Sequence, residues 1–239
     1  MAYDVLEGKN ALVTGASGGL GVEISLQLAL HGVNVHVTGR RAEKLEALCK
    51  AMAGAGRRTG WSCGDLRNGS HIDAVVSHAR ETVGEVDILV NCAGVFPVES
   101  LVESTADAFD DCFGLNIRAP FLLCRAVAPQ MVQRRWGRIV NIGSSSAYSG
   151  FKETSVYCAS KHALLGLSRA LHDELKVHDV RTYCISPGSI KTPMGEQVRN
   201  QNYETFLEPK EVAEYVCFII SFDGGLVSEE IRLNRTIVQ

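Results

Sequence analysis

The 239-residue sequence lacks what several large classes of protein need. It has 6 prolines and no Pro/Gly/Ser-rich stretch that would act as a linker, so one folding unit over 1–239 is expected. No apolar run approaches the length of a membrane span, and none of the repeats or low-complexity tracts of a solenoid is visible. The net charge is -3 and Lys and Arg form no cluster, so the electrostatic footprint of a nucleic-acid surface is missing. There is no CxxC pair, and the 7 histidines lack the HExxH spacing, so no metal site is expected. Met1–Lys9 carries acidic residues and no apolar core, so no signal peptide is expected. The 8 cysteines are scattered through apolar stretches such as Phe121–Cys124 and Tyr183–Ile185, the usage of a reducing compartment; a cytoplasmic location follows.

What the chain does have is a rhythm. Runs rich in Val and Ile alternate with 3.6-period stretches roughly every 25 to 30 residues, the pattern of βα units and hence of a parallel sheet. Strands are expected near 9–14, 33–38, 58–63, 86–91, 137–143, 180–185 and 231–234. Helices are expected near 19–31, 41–53, 69–83, 104–112, 115–135, 156–177 and 209–221. The fold class is therefore α/β, a doubly wound sheet with helices on both faces, whose ligand crevice lies at the carboxyl ends of the strands.

The strand ends carry the informative residues. After the first strand, Thr14-Gly15-Ala16-Ser17-Gly18-Gly19-Leu20-Gly21 breaks into a glycine-rich turn and then a helix, a place where backbone N–H groups and the helix dipole favour a phosphate. It is neither the GxGxxG spacing nor a P-loop, and an ordinary βα turn would use the same glycines. After the second strand, Gly39-Arg40-Arg41 offers room and guanidinium groups and no acid before Glu43. A 2′-phosphate needs those features, whereas NAD usually meets a carboxylate there, so NADP is favoured over NAD, unless the arginines merely begin a solvated helix. Asp65, beside Leu66, and Asn91, before Ala93 and Gly94, follow the third and fourth strands; both could be turn or cap residues. Farther on, Tyr157 and Lys161 stand four residues apart. A helix would stack them on one face, as it would any two amphipathic side chains at a surface.

Taken together, Thr14-Gly15-xxx-Gly19-x-Gly21, Asp65, Asn91-x-Ala93-Gly94, Asn116, Ser144, Tyr157-xxx-Lys161 and Pro187-Gly188 resemble the short-chain dehydrogenase/reductase family, in order from Lys9 to about Ala213. The resemblance implies one seven-stranded Rossmann sheet and an NADP(H)-dependent oxidoreductase. Such an enzyme moves hydride between nicotinamide and a carbonyl or secondary alcohol. It makes Tyr157 the acid/base, its phenol (pKa about 10 when free) shifted toward phenolate by Lys161. Ser144, thirteen residues before Tyr157, would hold the substrate oxygen, though Ser145 and Ser146 are its neighbours. The Asn116 carbonyl would hold a relay water, and Pro120, lacking an N–H, would leave that carbonyl free or simply kink the helix.

By the same resemblance the cofactor would meet Gly15, Ser17, Gly19, Leu20, Gly21, Arg40, Arg41, Asp65, Leu66, Asn91, Ala93, Gly94, Tyr157, Lys161, Pro187, Gly188, Ile190 and Thr192. Asp65 would take the adenine amino group, Asn91 would fasten the strand end beneath the adenosine, Ile190 would bond the carboxamide through its backbone, and Thr192 would bond the carboxamide or a phosphate. The substrate would be a small molecule held by residues such as Phe96, Ser146, Tyr148, Phe151 and Met194, beside a short segment, 189–208. The match is weaker at Gly18, where some NADP-preferring relatives are basic, and at the ending Ile231–Gln239, which lacks the Asp-Gly-Gly common in ketoacyl-carrier-protein reductases. A reductase of that type and a non-catalytic dinucleotide sensor are the alternatives. Apolar faces on the helices at 115–135 and 156–177 suggest a homodimer or homotetramer.

Overall fold

The computed structural model describes residues 3–54 and 56–236, so the expectations resting on Met1, Ala2 and Ile237–Gln239 lie outside the described residues. Seven strands form one parallel sheet in the order β3-β2-β1-β4-β5-β6-β7. They are β1 (Asn10–Thr14), β2 (Asn34–Gly39), β3 (Thr59–Cys63), β4 (Ile88–Asn91), β5 (Gly137–Ile142), β6 (Val180–Pro187) and β7 (Glu230–Leu233). The connecting helices are α1 (Leu20–Leu30), α2 (Ala42–Ala53), α3 (Gly69–Thr82), α4 (Ala106–Phe113), α5 (Ala119–Arg134), α6 (Ser155–Leu175) and α7 (Pro209–Ile220).

The strand residues show why both faces are covered. Along β1 and β4 the side chains alternate between two cores: Val13, Ile88 and Val90 pack with α1, α2 and α7, whereas Leu12 and Leu89 pack with α3 and α5. A strand buried on both sides is mostly apolar; β4 and β5 are buried throughout, and their polar residues Asn91, Arg138 and Asn141 are hydrogen-bonded within the protein. The chain order reverses between β1 and β4, which pair directly through Ala11↔Ile88, Leu12↔Leu89 and Val13↔Val90. That reversal opens the crevice in which sheets of this kind bind ligands.

One helix boundary differs from expectation. The chain does not break between α4 and α5. It passes through a π-helical turn over Gly114–Arg118, closed by Ala119 N–H to the Gly114 carbonyl. A π turn accommodates one extra residue without interrupting the helix, and such turns occur often at functional sites. The α-helical partner of the Asn116 carbonyl would be Pro120, at the start of α5, which has no N–H to give. The segment after β6 is an excursion whose ends are joined by an Ile190↔Leu207 bridge, with short 3-10 turns at Gly195–Gln197 and Tyr203–Thr205.

Candidate active site

A cleft of about 1080 Å³ runs along the carboxyl ends of the strands. Its first wall is the turn after β1. Gly15 has φ 70°, and a Cβ there would stand 2.8 Å from the Ala93 nitrogen, so only glycine lets the turn close against the end of β4. Thr14 locks the same junction: its Oγ1 accepts from the Cys92 and Ala93 N–H groups, both at 3.0 Å, and donates to the Val90 carbonyl at 3.3 Å. The sequence marks this Thr as part of the turn but gives no hint of the staple.

Ser17, Gly19, Leu20, Arg40, Arg41, Asp65, Leu66, Ala93, Gly94, Ser144, Tyr157, Lys161, Pro187, Gly188, Ile190 and Thr192 all line this cleft. Three expected residues do not. Gly21 lies behind the turn, where a Cβ would meet the Gly15 carbonyl oxygen at 2.6 Å; it permits close packing of α1 on β1. Asn91 turns its side chain into the sheet and donates to Asn141 Oδ1 at 2.8 Å, with Asn141 donating to Ser168 at 2.9 Å. It ties the end of β4 to β5, and its side chain does not line the cleft. Asn116 is 1% exposed and acts as a hub: Oδ1 accepts from Val95 N–H at 2.9 Å, and Nδ2 donates to the Val95 carbonyl and Ser160 Oγ, each at 3.0 Å.

Asp65 is already engaged. Arg67 donates to both of its carboxylate oxygens and also pairs with Asp111 on α4. Chiefly through those Arg67 hydrogen bonds, the Asp65 pKa falls to about 2. The sequence reading missed Arg67, since a cation two residues after an acid carries no signal of its own. Tyr148, expected in the substrate pocket, instead stacks under Arg232 of β7, 4.4 Å from guanidinium carbon to ring centroid. Phe96, Ser146, Phe151 and Met194 do line the cleft.

At the centre, α6 carries Tyr157 and Lys161 on one face, both nearly enclosed. Phe96 meets the Tyr157 ring edge-on at 4.6 Å between centroids. Lys161 Nζ donates to the Ile142 carbonyl at 2.8 Å and lies 5.7 Å from the Tyr157 ring centroid. The expected drop in the phenol's pKa is absent here. Burial pushes Tyr157 up to about 12, against a lowering by the Ser144 hydrogen bond, and burial also lowers Lys161. The reason is that the phenol is enclosed and stripped of water, while Lys161 Nζ is turned to the Ile142 carbonyl. The phenol is thus held in its neutral form, able to give a proton, beside the Lys161 amine. Ser144 Oγ accepts from Ser146 N–H at 3.1 Å, which aims its hydroxyl at the phenol.

The sequence model of the family described as short chain dehydrogenase matches residues 9–203. Among curated proteins, the chain is 35% identical to oxidoreductase UcpA of Salmonella typhimurium, covering 93% of this chain and 91% of that protein. Among solved structures, a metagenomic short-chain oxidoreductase in complex with NADP superposes with a TM-score of 0.84 at 31% identity, covering 97% of this chain and 99% of that one. A short-chain dehydrogenase from Burkholderia cenocepacia, also in complex with NADP, gives 0.87 at 30% identity over 96% and 97% of the two chains.

Proposed function

The chain belongs to the short-chain dehydrogenase family, and from that membership we propose that it is an NADP(H)-dependent oxidoreductase acting on a carbonyl or secondary alcohol, with Tyr157 as its acid/base. The observation that carries the reading is the meeting of Tyr157, Ser144 and Lys161 in the same cleft as the glycine-rich turn.

The cleft fits a dinucleotide phosphate. Glycine at 15, 18 and 19 leaves backbone where side chains would block a pyrophosphate, and a Cβ on Gly19 would already press on Thr192 at 3.1 Å. Arg40 and Arg41 border the end of β2, and the nearby Asp65 is held by Arg67, which leaves the two guanidinium groups to suit a 2′-phosphate. Bound there, NADP(H) supplies the hydride donor or acceptor. The protein's residues do the rest. Ser144 holds the substrate oxygen, and Tyr157, neutral before reaction, gives it a proton in the reducing direction. Lys161 then stabilises the phenolate left behind, since an ammonium beside a new anion in an enclosed site is worth far more than in water. Asn116 fixes the geometry by tying Val95, on the loop after β4, to Ser160, one residue before Lys161.

We read residues 1–239 as one NAD(P)-binding unit, with 189–208 as the substrate-side segment. The groove between α5 and α6, with Phe121 46% exposed at its rim, supports packing against a second copy as a dimer or tetramer. All eight cysteines are free thiols and no helix among the described residues is long and apolar enough to cross a membrane, which supports a cytoplasmic location. The test is absorbance at the NADPH band with a panel of carbonyl compounds and both cofactors. Turnover with NADPH in preference to NADH is expected; no oxidation of either cofactor by any member would contradict the reading.

A further inference from the structure

The loops that wall the cleft beyond Tyr157 meet at Glu153. Its backbone sits in the left-handed region at φ 63°, uncommon for a residue with a side chain and a state that surrounding structure has to enforce. The enforcing contacts come from two other loops. The Glu153 carbonyl accepts from Glu99 N–H at 2.8 Å, which binds it to the chain leaving β4. Its carboxylate lies 3.4 Å from Arg199 Nη1, on the excursion after β6, and 3.5 Å from Lys152 Nζ.

The excursion is anchored on either side of that contact. At its base Lys191 N–H bonds to the Leu207 carbonyl and Leu207 N–H to the Ser189 carbonyl, each at 2.9 Å. At Gln201, Oε1 accepts from Arg235 at 2.7 Å and from Ser189 at 3.2 Å. Between these anchors Arg199 reaches to Glu153 across the mouth of the cleft, just before Asn200, itself left-handed at φ 58°.

Among the described residues two cations at this mouth share one ion-pair partner, while Glu99 on the adjoining loop is exposed. Lys152 and Arg199 face a single carboxylate, Glu153. Asp65 and Asp111, the other acids lining the cleft, are held by Arg67. The Arg199–Glu153 contact is long for an ion pair, and Arg199 is 70% exposed, so opening it costs little. An arginine offers a planar fork that a carboxylate can take with two hydrogen bonds, a better contact than the one it now has.

Resting on the oxidoreductase reading above, we propose that the substrate is a carbonyl compound, or the matching alcohol, that carries a carboxylate. Arg199 grips that carboxylate. Glu153 is the internal stand-in that keeps Arg199 over the mouth until the substrate displaces it, and Lys152 compensates Glu153 once Arg199 has turned away.

The test compares oxo acids of graded chain length with their neutral methyl esters, in NADPH turnover and in calorimetric binding to the NADP⁺-loaded protein. The acid is expected to be favoured in kcat/KM by about tenfold or more for the best chain length, as a charge-assisted contact allows. Added salt should shrink that ratio. Arg199→Gln should bring the ratio to near one, with partial return in Arg199→Lys, and Glu153→Gln should tighten the acid in calorimetry by removing its competitor. A wild-type ratio near one, or a ratio that Arg199→Gln leaves unchanged, overturns the proposal while leaving the oxidoreductase reading intact. Absence of turnover throughout, with acid binding that still depends on Arg199, would refute the oxidoreductase reading and leave the carboxylate site standing. Absence of both refutes the two together.

Discussion

Arg41 folds back from the start of α2 to donate through Nη2 to the Ser17 carbonyl, and its guanidinium lies 2.7 Å from where a Cβ on Gly18 would stand. The position that is basic in some NADP-preferring relatives is glycine here, and the space is filled by an arginine from the next strand end. Gly18 and Arg41 therefore act as a pair. Gly18→Val should displace the guanidinium and weaken NADPH binding by about tenfold, the worth of one charge-assisted hydrogen bond, with less effect on NADH. Arg41→Ala should do the same. Fluorescence titration of the two cofactors checks it, and equal losses for both would contradict the role in selectivity.

Asn116→Ala removes a buried hub and leaves the Val95 carbonyl and N–H and Ser160 short of a partner. Stability should drop by about 2 kcal/mol, the cost of buried groups left unsatisfied, read from urea unfolding. Turnover should fall more than substrate affinity, because Ser160 adjoins Lys161. A variant as stable and as active as the parent would remove Asn116 from the account.

His36 is fully buried in β2, bonded to Thr82 Oγ1 at 2.8 Å and Ser62 Oγ at 2.9 Å, and its pKa is lowered to about 4, chiefly by burial. The unfolded chain takes a proton near pH 6.5 and the folded chain does not until about pH 4. Stability is therefore full above the unfolded value and is lost as pH falls from about 6.5 to 4, by up to about 3 kcal/mol. Urea unfolding at pH 7 and pH 5 should show part of this loss, and His36→Gln should flatten it. Asp65, lowered toward 2, contributes in a separate and more acidic window.

The sheet was legible because its inner strands are buried on both faces, β3 and β7 at its edges keep one buried face, and each strand runs into a glycine, an asparagine or a proline-glycine pair. The expected strands agree with β1 to β7 within about two residues. The π turn was not legible, since Gly114 reads as a helix end and nothing local shows that the chain continues through it. Tyr148 and Asn91 are polar residues after strands, and sequence position does not fix which way such side chains turn. The Tyr157 shift was misjudged for another reason: one turn of helix gives proximity to Lys161, whereas the burial that dominates comes from Phe96 and the loops around it.

The acid/base role of Tyr157 is the centre of the account, and Tyr157→Phe tests it with the ring and its packing on Phe96 kept. With a carbonyl substrate that the parent reduces, the steady-state rate of NADPH consumption is measured alongside NADPH affinity by titration. The account predicts that kcat falls by about a hundredfold or more while NADPH binds within about twofold of the parent. A variant that turns over at the parental rate with NADPH bound would contradict it.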